Sequence, residues 1–363
     1  MSWQEILSHQ GPLERFQRSV EKNRLASTYL FVGPPGVGKR TFALKLAEAL
    51  LCETNAESEL NPCGSCPACQ QVKAQSHPDL ILVKRPKDKN YIPVETFIGD
   101  REHRRRTGLC HDIGLKPFRG GRKIAIIDDA DFLNVESANS LLKTLEEPPP
   151  NSLLILIGTS EQRQLSTIVS RSQVIRFGAL PPSDVETILG GMNEIESEID
   201  LSALARVSQG SVELAVTLAN KEVFEFRQLL FEQLASADPG SEGFTKSTTS
   251  FVDGAGKDAA EKRARLTLVA DFAISFFRQW QQFVCNQEPT GDAYLDEAVA
   301  SIVDRLGNDA NQICQIASFA IQRTMDLQRH VAANVNNANA VASWLTDLGR
   351  IFREQRVPSV EVL

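Results

Sequence analysis

A glycine-rich segment between an apolar run and a helical pattern constrains the fold of this 363-residue chain more than any other feature. Its glycines let backbone N–H groups turn toward a phosphate chain, and its final lysine can reach the terminal phosphates. The segment follows Tyr29–Val32 and precedes a pattern in which Phe42, Leu46 and Leu50 share one helix face, so spacing and context predict a phosphate loop rather than a chance turn. The phosphate loop consists of Gly33, Pro34, Pro35, Gly36, Val37, Gly38 and Lys39.

Short apolar runs alternate with helical patterns through the first half of the chain, and this order predicts a parallel α/β sheet. A helix is predicted from Val135 to Glu147, because Pro148 and the two prolines after it cannot continue one. The candidate strands are Tyr29–Val32, Leu80–Val83, Ile124–Ile127, Leu153–Ile157 and Val174–Phe177.

Strand patterns stop near Leu180, and the remaining chain is predicted to be helical. Three short helices are expected between residues 180 and 220, and two long apolar stripes follow. The segment Ser236–Gly256 is rich in Gly, Ser and Thr, which predicts a flexible loop. We therefore predict an α/β domain over 1–179, a helical lid over 180–221 and an all-α domain over 222–363. The stripes are Leu266, Val269, Phe272, Phe276, Trp280 and Phe283, and Val341, Trp344, Leu345, Leu348 and Phe352.

The formal net charge is −7, so the surface as a whole does not favour nucleic acid, and DNA contact requires a local patch or partners. Arg101–Arg106, within the region Lys84–Gly121, is one candidate patch, although a solvated loop is the favoured alternative. No apolar stretch is long enough to span a bilayer, and Met1–Glu5 shows neither the basic nor the apolar region of a signal peptide. We expect a cytoplasmic protein with no membrane partner.

Four of the seven cysteines form a cluster with metal-binding spacing. Ten residues separate Cys52 from Cys63, and two residues separate each of the pairs Cys63–Cys66 and Cys66–Cys69. Turn residues between these cysteines allow the chain to fold around one ion, and four thiolates suit tetrahedral zinc. Because protein would fill all four positions, we predict a structural zinc site; free thiols are the alternative. His77 is expected to shape a turn rather than to bind the metal.

Two positions near the phosphate loop depart from the pattern of a metal-assisted ATPase. Arg40 stands where a Ser or Thr hydroxyl would hold Mg²⁺, and a guanidinium has no lone pair for a metal. Thr41 lies about 100° further around the helix, so we expect it to point elsewhere. Asp128 ends an apolar strand where a magnesium ligand is expected, and Asp129 is shorter than the glutamate that usually activates water. The alternative is that both aspartates only cap a helix.

The order of these motifs resembles that of bacterial DNA polymerase III clamp-loader AAA+ subunits. A strand and phosphate loop are followed by the four-cysteine insert, by Asp128–Asp131, and by the run Ala138–Pro149, which ends in Leu-Glu-Glu-Pro-Pro. The resemblance covers about residues 5–220 well and the remainder only in outline. It implies a AAA+ P-loop NTPase domain with a zinc-binding insert, a small helical lid and an all-α C-terminal collar.

The same resemblance assigns roles to further residues. In the family a Ser-Arg-Cys motif follows the sensor strand, and its arginine reaches the ATP of the adjacent subunit; here the motif is Ser170–Ser172. Arg171 would then be an arginine finger acting in trans, whereas an ordinary surface salt bridge is the alternative for any single arginine. Thr159 matches the first sensor. The second sensor, normally an arginine, falls at Glu213.

Three departures, Arg40, Asp129 and Glu213, each weaken the chain's own ATPase while Arg171 is retained. This combination resembles the delta-prime type rather than the gamma/tau motor. It implies a part of the DNA polymerase III holoenzyme that helps to load the sliding clamp on primed DNA, in a hetero-pentamer with gamma/tau and delta subunits. Structural zinc is implied, and binding of ATP and Mg²⁺ is left open. The alternatives are an active gamma/tau-like motor and an unrelated phosphate-loop protein with a zinc-ribbon nucleic-acid module.

Overall fold

The computed structural model describes residues 3, 6–86, 89–104, 106–119, 121–192, 195, 199–285, 287, 289–307 and 309–354. The chain divides into two compact units, one of Met1–Glu194 with Ser208–Ala215 and one of Ile195–Val207 with Val216–Leu363. The segment predicted as a lid, 180–221, contributes to both units, so the division into three domains stays a prediction.

The first unit is built on a five-stranded parallel sheet with the strand order β2-β3-β4-β1-β5. All five predicted strands are confirmed, with ends that shift by at most one residue. Strands β1, β3 and β4 are buried along their whole length, as expected for a parallel sheet covered on both faces. The strands are β1 Thr28–Val32, β2 Leu80–Val83, β3 Lys123–Ile127, β4 Ser152–Ile157 and β5 Gln173–Arg176.

Helices cover this sheet and form two cores. On one face Phe16, Phe31 and Phe42 pack together with ring centroids 5.9 Å apart, which fixes the helix after the phosphate loop against β1. On the other face Leu141 packs among side chains from β1, β3 and β4. The helices in this half are α1 Gln10–Glu21, α2 Lys39–Leu50, α3 Pro67–Lys73, α4 Glu95–Ile98, α5 Leu109–Asp112, α6 Val135–Glu146, α7 Ser166–Val169, α8 Pro182–Gly190, α9 Leu201–Val207 and α10 Val212–Leu218; α9 belongs to the second unit and α10 is shared.

Helix α6 illustrates how local sequence sets these boundaries. The side chain of Asn134 accepts a hydrogen bond from Ser137 N–H and so caps the first turn. The helix ends at Glu146, one residue before the predicted end, because Pro148 follows closely and disfavours a helical conformation at Glu147. Its apolar face, which includes Leu141 and Leu145, is buried against the sheet.

The described residues of the second unit form helices joined by loops, without a strand. The side chain of Trp280 on α13 is fully buried and lies 5.7 Å from Phe352 of α16, measured between ring centroids. The predicted apolar stripes are buried except at Phe283, which is 36% exposed. The remaining helices are α11 Lys221–Ala235, α12 Glu242–Asp253, α13 Ala259–Val284, α14 Ala293–Leu306, α15 Ala310–Ala332 and α16 Asn337–Glu354.

The prediction of a flexible loop over Ser236–Gly256 was wrong, because residues Glu242–Asp253 form α12. Ser241 caps this helix by accepting a hydrogen bond from Phe244 N–H. Phe251 stacks on Phe226 with the ring centroids 3.8 Å apart. Burial of Phe244 and Phe251, seven residues apart on one helix face, outweighs the weak helix preference of the Ser and Thr residues between them.

Across the described residues, every helix is too short or too polar to cross a membrane.

Candidate functional site

The phosphate loop connects the end of β1 to the start of α2, at the edge where the parallel strands end. Gly33 and Gly36 are required there for space as well as for their positive φ angles of 153° and 71°. A Cβ on Gly33 would lie 2.2 Å from the carbonyl oxygen of Phe177. A Cβ on Gly36 would lie 2.2 Å from Ser211 Oγ and 2.6 Å from Glu213 Cβ. The loop therefore packs closely against Phe177, the residue after β5, and against the start of α10.

Lys39 is buried and bound to its own loop. Its Nζ donates hydrogen bonds to the carbonyl oxygens of Gly33, at 2.7 Å, and Pro34, at 2.5 Å. Burial lowers the pKa of Lys39, although the charges of Asp131 and Asp128 oppose this shift. The ammonium group is thus held at the phosphate loop.

Arg40 pairs with the carboxylate expected to hold magnesium. Its Nε lies 3.5 Å from Asp128 Oδ2, and its Nη2 donates to Gln75 Oε1 at 3.1 Å. The side chain of Asp128 is 18% exposed, so the two charges face each other in a partly desolvated position. Thr41 is exposed. The guanidinium therefore supplies a positive charge beside Asp128 without any ability to coordinate a metal.

Asp129 has the left-handed backbone conformation, with φ 58°, and its N–H donates to Asp128 Oδ1 at 3.1 Å. Burial raises the pKa of Asp129, and the neighbouring charge of Asp128 raises it further. Asp129 is also one methylene shorter than the usual glutamate, so its carboxylate reaches less far toward an attacking water.

Thr159 is anchored by an aspartate to which sequence reasoning assigned no role. Its Oγ1 donates to Asp131 Oδ2 at 2.6 Å, and its N–H lies within 3.1 Å of both carboxylate oxygens. The Asp131 side chain is 4% exposed and also accepts from Gln164 Nε2 at 2.5 Å. Thr159 O in turn accepts from Gly33 N–H at 3.1 Å, which connects the sensor position to the phosphate loop. The signal in the sequence that could have pointed to this role is a third carboxylate, Asp131, three residues after Asp128.

His9 was also missed by the sequence analysis. It is 4% exposed, and its Nε2 donates to the carbonyl oxygen of Val37 at 2.6 Å. Its ring packs edge-on against Phe177, with centroids 4.9 Å apart. Burial lowers the pKa of His9. Nothing in its local sequence marks it, because its partners are distant along the chain.

Glu213 lies at the first turn of α10, where the chain returns to the phosphate loop. Val212 N–H donates to the carbonyl oxygen of Gly36 at 3.0 Å. The negative charge of Glu213 raises the pKa of Lys39 against the effect of burial. A carboxylate therefore stands near Lys39 where the resemblance expects an arginine directed at phosphate.

The four clustered cysteines come together as predicted. Their sulfur atoms all lie within 4.8 Å of one another, and Cys63 Sγ and Cys69 Sγ are 3.9 Å apart. Tetrahedral zinc with Zn–S bonds of about 2.3 Å requires sulfur separations of about 3.8 Å, so the geometry fits. Backbone N–H groups point at three of the sulfurs, including Cys66 N–H to Cys63 Sγ at 3.3 Å and Cys69 N–H to Cys66 Sγ at 3.4 Å. The group Cys52, Cys63, Cys66 and Cys69 can therefore hold a metal ion.

The acidity of these thiols differs within the cluster. Hydrogen bonds, above all from Ser65 N–H, lower the pKa of Cys63 to about 5. Burial and the neighbouring thiols raise the pKa of Cys69. Four thiolates so close together repel one another, and a divalent cation would remove that repulsion.

Arg171 follows α7 and lies outside the phosphate-loop cluster. Its Nε lies 2.9 Å and its Nη2 2.6 Å from Glu146 Oε1. Its Nη1 donates to the carbonyl oxygen of Thr167 and to Ser170 Oγ, both at 3.1 Å. The side chain is 34% exposed. It therefore forms the surface ion pair that was the alternative for this residue, while remaining accessible from outside.

The basic segment between α4 and α5 is exposed at Arg101, Arg104 and Arg106, and Arg105 lies outside the described residues. The backbone at the two ends of this segment packs closely together, since a Cβ on Gly108 would lie 2.8 Å from Gly99 N. Both a DNA-facing patch and a solvated loop stay predictions.

Comparison with known proteins decides the family. Residues 8–181 match the family model described as "DNA polymerase III, delta subunit". Over 325 residues the chain is 37% identical to DNA polymerase III subunit delta' from Pseudomonas aeruginosa, covering 87% of this chain and 88% of the relative. The chain belongs to the DNA polymerase III delta' family. The predicted delta-prime resemblance is thereby confirmed.

Other relatives match over less of their length. Subunit delta' of Bacillus subtilis is 34% identical over 227 residues, covering 62% of this chain and 63% of the relative. Subunit tau of Escherichia coli is 30% identical over 226 residues, covering 60% of this chain but only 32% of the relative. Among solved structures, a DNA polymerase III gamma subunit-related protein from Thermotoga maritima is 16% identical, with a TM-score of 0.41 over 95% of this chain and 99% of that one. The tau alternative is the weaker one.

Proposed function

We propose that this chain acts as the delta-prime subunit of a DNA polymerase III clamp loader, with little or no ATPase activity of its own, and supplies Arg171 to the ATP of a neighbouring subunit. Its partners would be gamma/tau and delta subunits in a hetero-pentamer in the cytoplasm. The sliding clamp and primed DNA would be engaged through the complex.

The observation that carries this proposal is the pairing of Arg40 with Asp128 at 3.5 Å. In a metal-assisted ATPase the corresponding hydroxyl and carboxylate hold Mg²⁺, which neutralises charge developing on the phosphates. Here a side-chain cation stands beside the carboxylate and repels a second cation. Asp129 and Glu213 support the same proposal in two further ways, through the shorter reach of the Asp129 side chain and through negative charge near Lys39.

Arg171 supports the second half of the proposal because its side chain is 34% exposed. A guanidinium that reaches a transferring phosphoryl group stabilises its charge and is worth about 10³- to 10⁵-fold in rate. The assignment of Arg171 as this finger comes from the family motif at Ser170–Ser172.

The metal of the cysteine cluster would be zinc. Cys52, Cys63, Cys66 and Cys69 would hold it, and when bound it would cross-link α3 to the end of α2 as a structural element. With four sulfur ligands no coordination position remains open for a substrate, so a catalytic role is not expected.

The test is ATP turnover by the purified chain, alone and then with motor and opener subunits, clamp and primed DNA. Negligible turnover alone, together with turnover in the mixture that Arg171→Ala lowers at unchanged assembly, supports the proposal. Robust turnover alone that Lys39→Ala abolishes would favour the active-motor alternative instead. If Arg171→Ala prevents assembly, Arg171 is structural rather than a finger.

A further inference from the structure

The guanidinium of Arg171 is held by contacts within its own chain. A guanidinium carries five N–H donors. In this chain its Nε and Nη2 face Glu146 Oε1, and both hydrogens of Nη1 are directed to Thr167 O and Ser170 Oγ. A bidentate contact with a phosphate needs two donors on one edge, so it cannot form until at least one of these contacts is released.

We propose that Glu146 is a positioning residue that docks Arg171 on its own subunit, and that the Glu146 carboxylate is exchanged for the neighbouring subunit's nucleotide phosphate during assembly. This inference rests on the proposed function, since it needs Arg171 to act in trans. The chemistry of the exchange is the replacement of one oxyanion by another on the same guanidinium edge. No covalent bond changes.

The position of Glu146 favours exchange over permanent pairing. Glu146 is the last residue of α6, where a negative charge interacts unfavourably with the helix dipole. Its side chain is 49% exposed and that of Arg171 is 34% exposed, so water and salt already weaken the pair. The phosphates of a nucleotide carry more charge than one carboxylate and can displace it.

The adjacent residue provides a matched control. Glu147 is exposed at the same helix end and has no ion pair with any residue in the described part of the chain. Glu146→Gln and Glu147→Gln therefore remove the same charge from nearly the same place, and only the first removes a charge that faces Arg171. Thermal unfolding of each variant checks that both fold normally.

The measurement is the concentration of this chain that gives half-maximal ATPase of the reconstituted motor complex with clamp and primed DNA. Without Glu146 the guanidinium need not leave a carboxylate, so Glu146→Gln should lower this concentration by about two- to fivefold, the range of an exposed ion pair, and leave maximal turnover unchanged. Glu147→Gln should leave both values unchanged. Glu146→Gln should also have no effect in an Arg171→Ala background, because the two changes act on one contact.

The two proposals fail separately. If Arg171→Ala lowers turnover but Glu146→Gln behaves as Glu147→Gln does, the docking role of Glu146 is wrong and the finger stands. If Glu146→Gln lowers maximal turnover, Glu146 aligns the finger in the active complex and the exchange is overturned. If Arg171→Ala leaves turnover unchanged, the proposed function itself fails.

Discussion

Arg40 Nε and Asp128 Oδ2 lie 3.5 Å apart at the start of α2 and the end of β3. By the motif pattern, the first residue falls where a magnesium-binding hydroxyl is expected, and the second is the carboxylate expected to share that metal. In the proposed function, this ion pair would stand in place of a magnesium site. On that proposal the chain keeps a complete phosphate loop but holds Mg²⁺ poorly.

Replacing Arg40 by serine should restore magnesium-dependent nucleotide binding. Arg40→Ser supplies a hydroxyl and removes the repelling charge, whereas Arg40→Ala removes only the charge. We expect Arg40→Ser to bind Mg-ATP about tenfold more tightly than Arg40→Ala, or ~1.4 kcal/mol, by calorimetry. With magnesium chelated the two variants should bind equally. Equal binding of the two with magnesium present would contradict the assigned geometry.

Loss of one clustered thiol should cost the metal and much of the stability of the first unit. Cys63→Ser should abolish binding of one zinc per chain, measured by metal analysis, and should lower the free energy of unfolding by more than about 3 kcal/mol. Cys285→Ser, an exposed cysteine outside the cluster, is the matched control and should change neither. Retention of zinc by Cys63→Ser would disprove four-sulfur ligation.

Acid should destabilise the first unit partly through His9. Burial lowers the pKa of His9 below the ordinary value of 6.5. The unfolded chain therefore takes up a proton at a pH where the folded chain does not, and the free energy of unfolding falls as pH drops through about 6.5 toward the folded pKa. His9→Gln removes the contribution of this protonation to the pH dependence of stability, and the glutamine amide can still donate to Val37 O.

The check is the midpoint of thermal unfolding at about pH 7.5 and about pH 5.5. His9→Gln should lose less stability between these two values than the wild type, whatever its stability at the higher pH. His77, whose pKa burial also lowers, contributes in the same direction, so part of the acid sensitivity should remain in His9→Gln. If His9→Gln loses as much stability on acidification as the wild type, His9 is not held buried and neutral in the folded chain.

Truncation of Phe251 tests whether α12 packs as the structure has it. The ring stacks on Phe226 and is 6% exposed. Phe251→Ala should lower the free energy of unfolding by about 3–5 kcal/mol, measured by denaturant titration. Phe118→Ala, at a side chain that is 80% exposed, should change it by less than about 0.5 kcal/mol. A small effect of Phe251→Ala would instead support the flexible loop that the composition of this segment predicts.

Predictions that rest on a pattern within a short stretch of chain were the most reliable ones. Continuous apolar runs such as Leu153–Ile157 predict buried strands. The cysteine spacing places four sulfurs within reach of one ion. The phosphate loop is equally local, because its glycines and Lys39 act within seven residues. The same reliance on local composition failed at α12, where two phenylalanines decide the structure among many Ser and Thr residues.

By itself, then, the sequence determined the α/β sheet, the phosphate loop with Arg40 after Lys39, and the cluster of four cysteines that could hold a metal ion. Only the tertiary structure decided which side chains meet across long separations: Thr159 with Asp131, His9 with Val37, and Arg171 with Glu146. The physical reason is that periodicity and turn chemistry act over a few residues, whereas these contacts depend on how parallel strands and their crossing helices bring distant segments to one edge of the sheet.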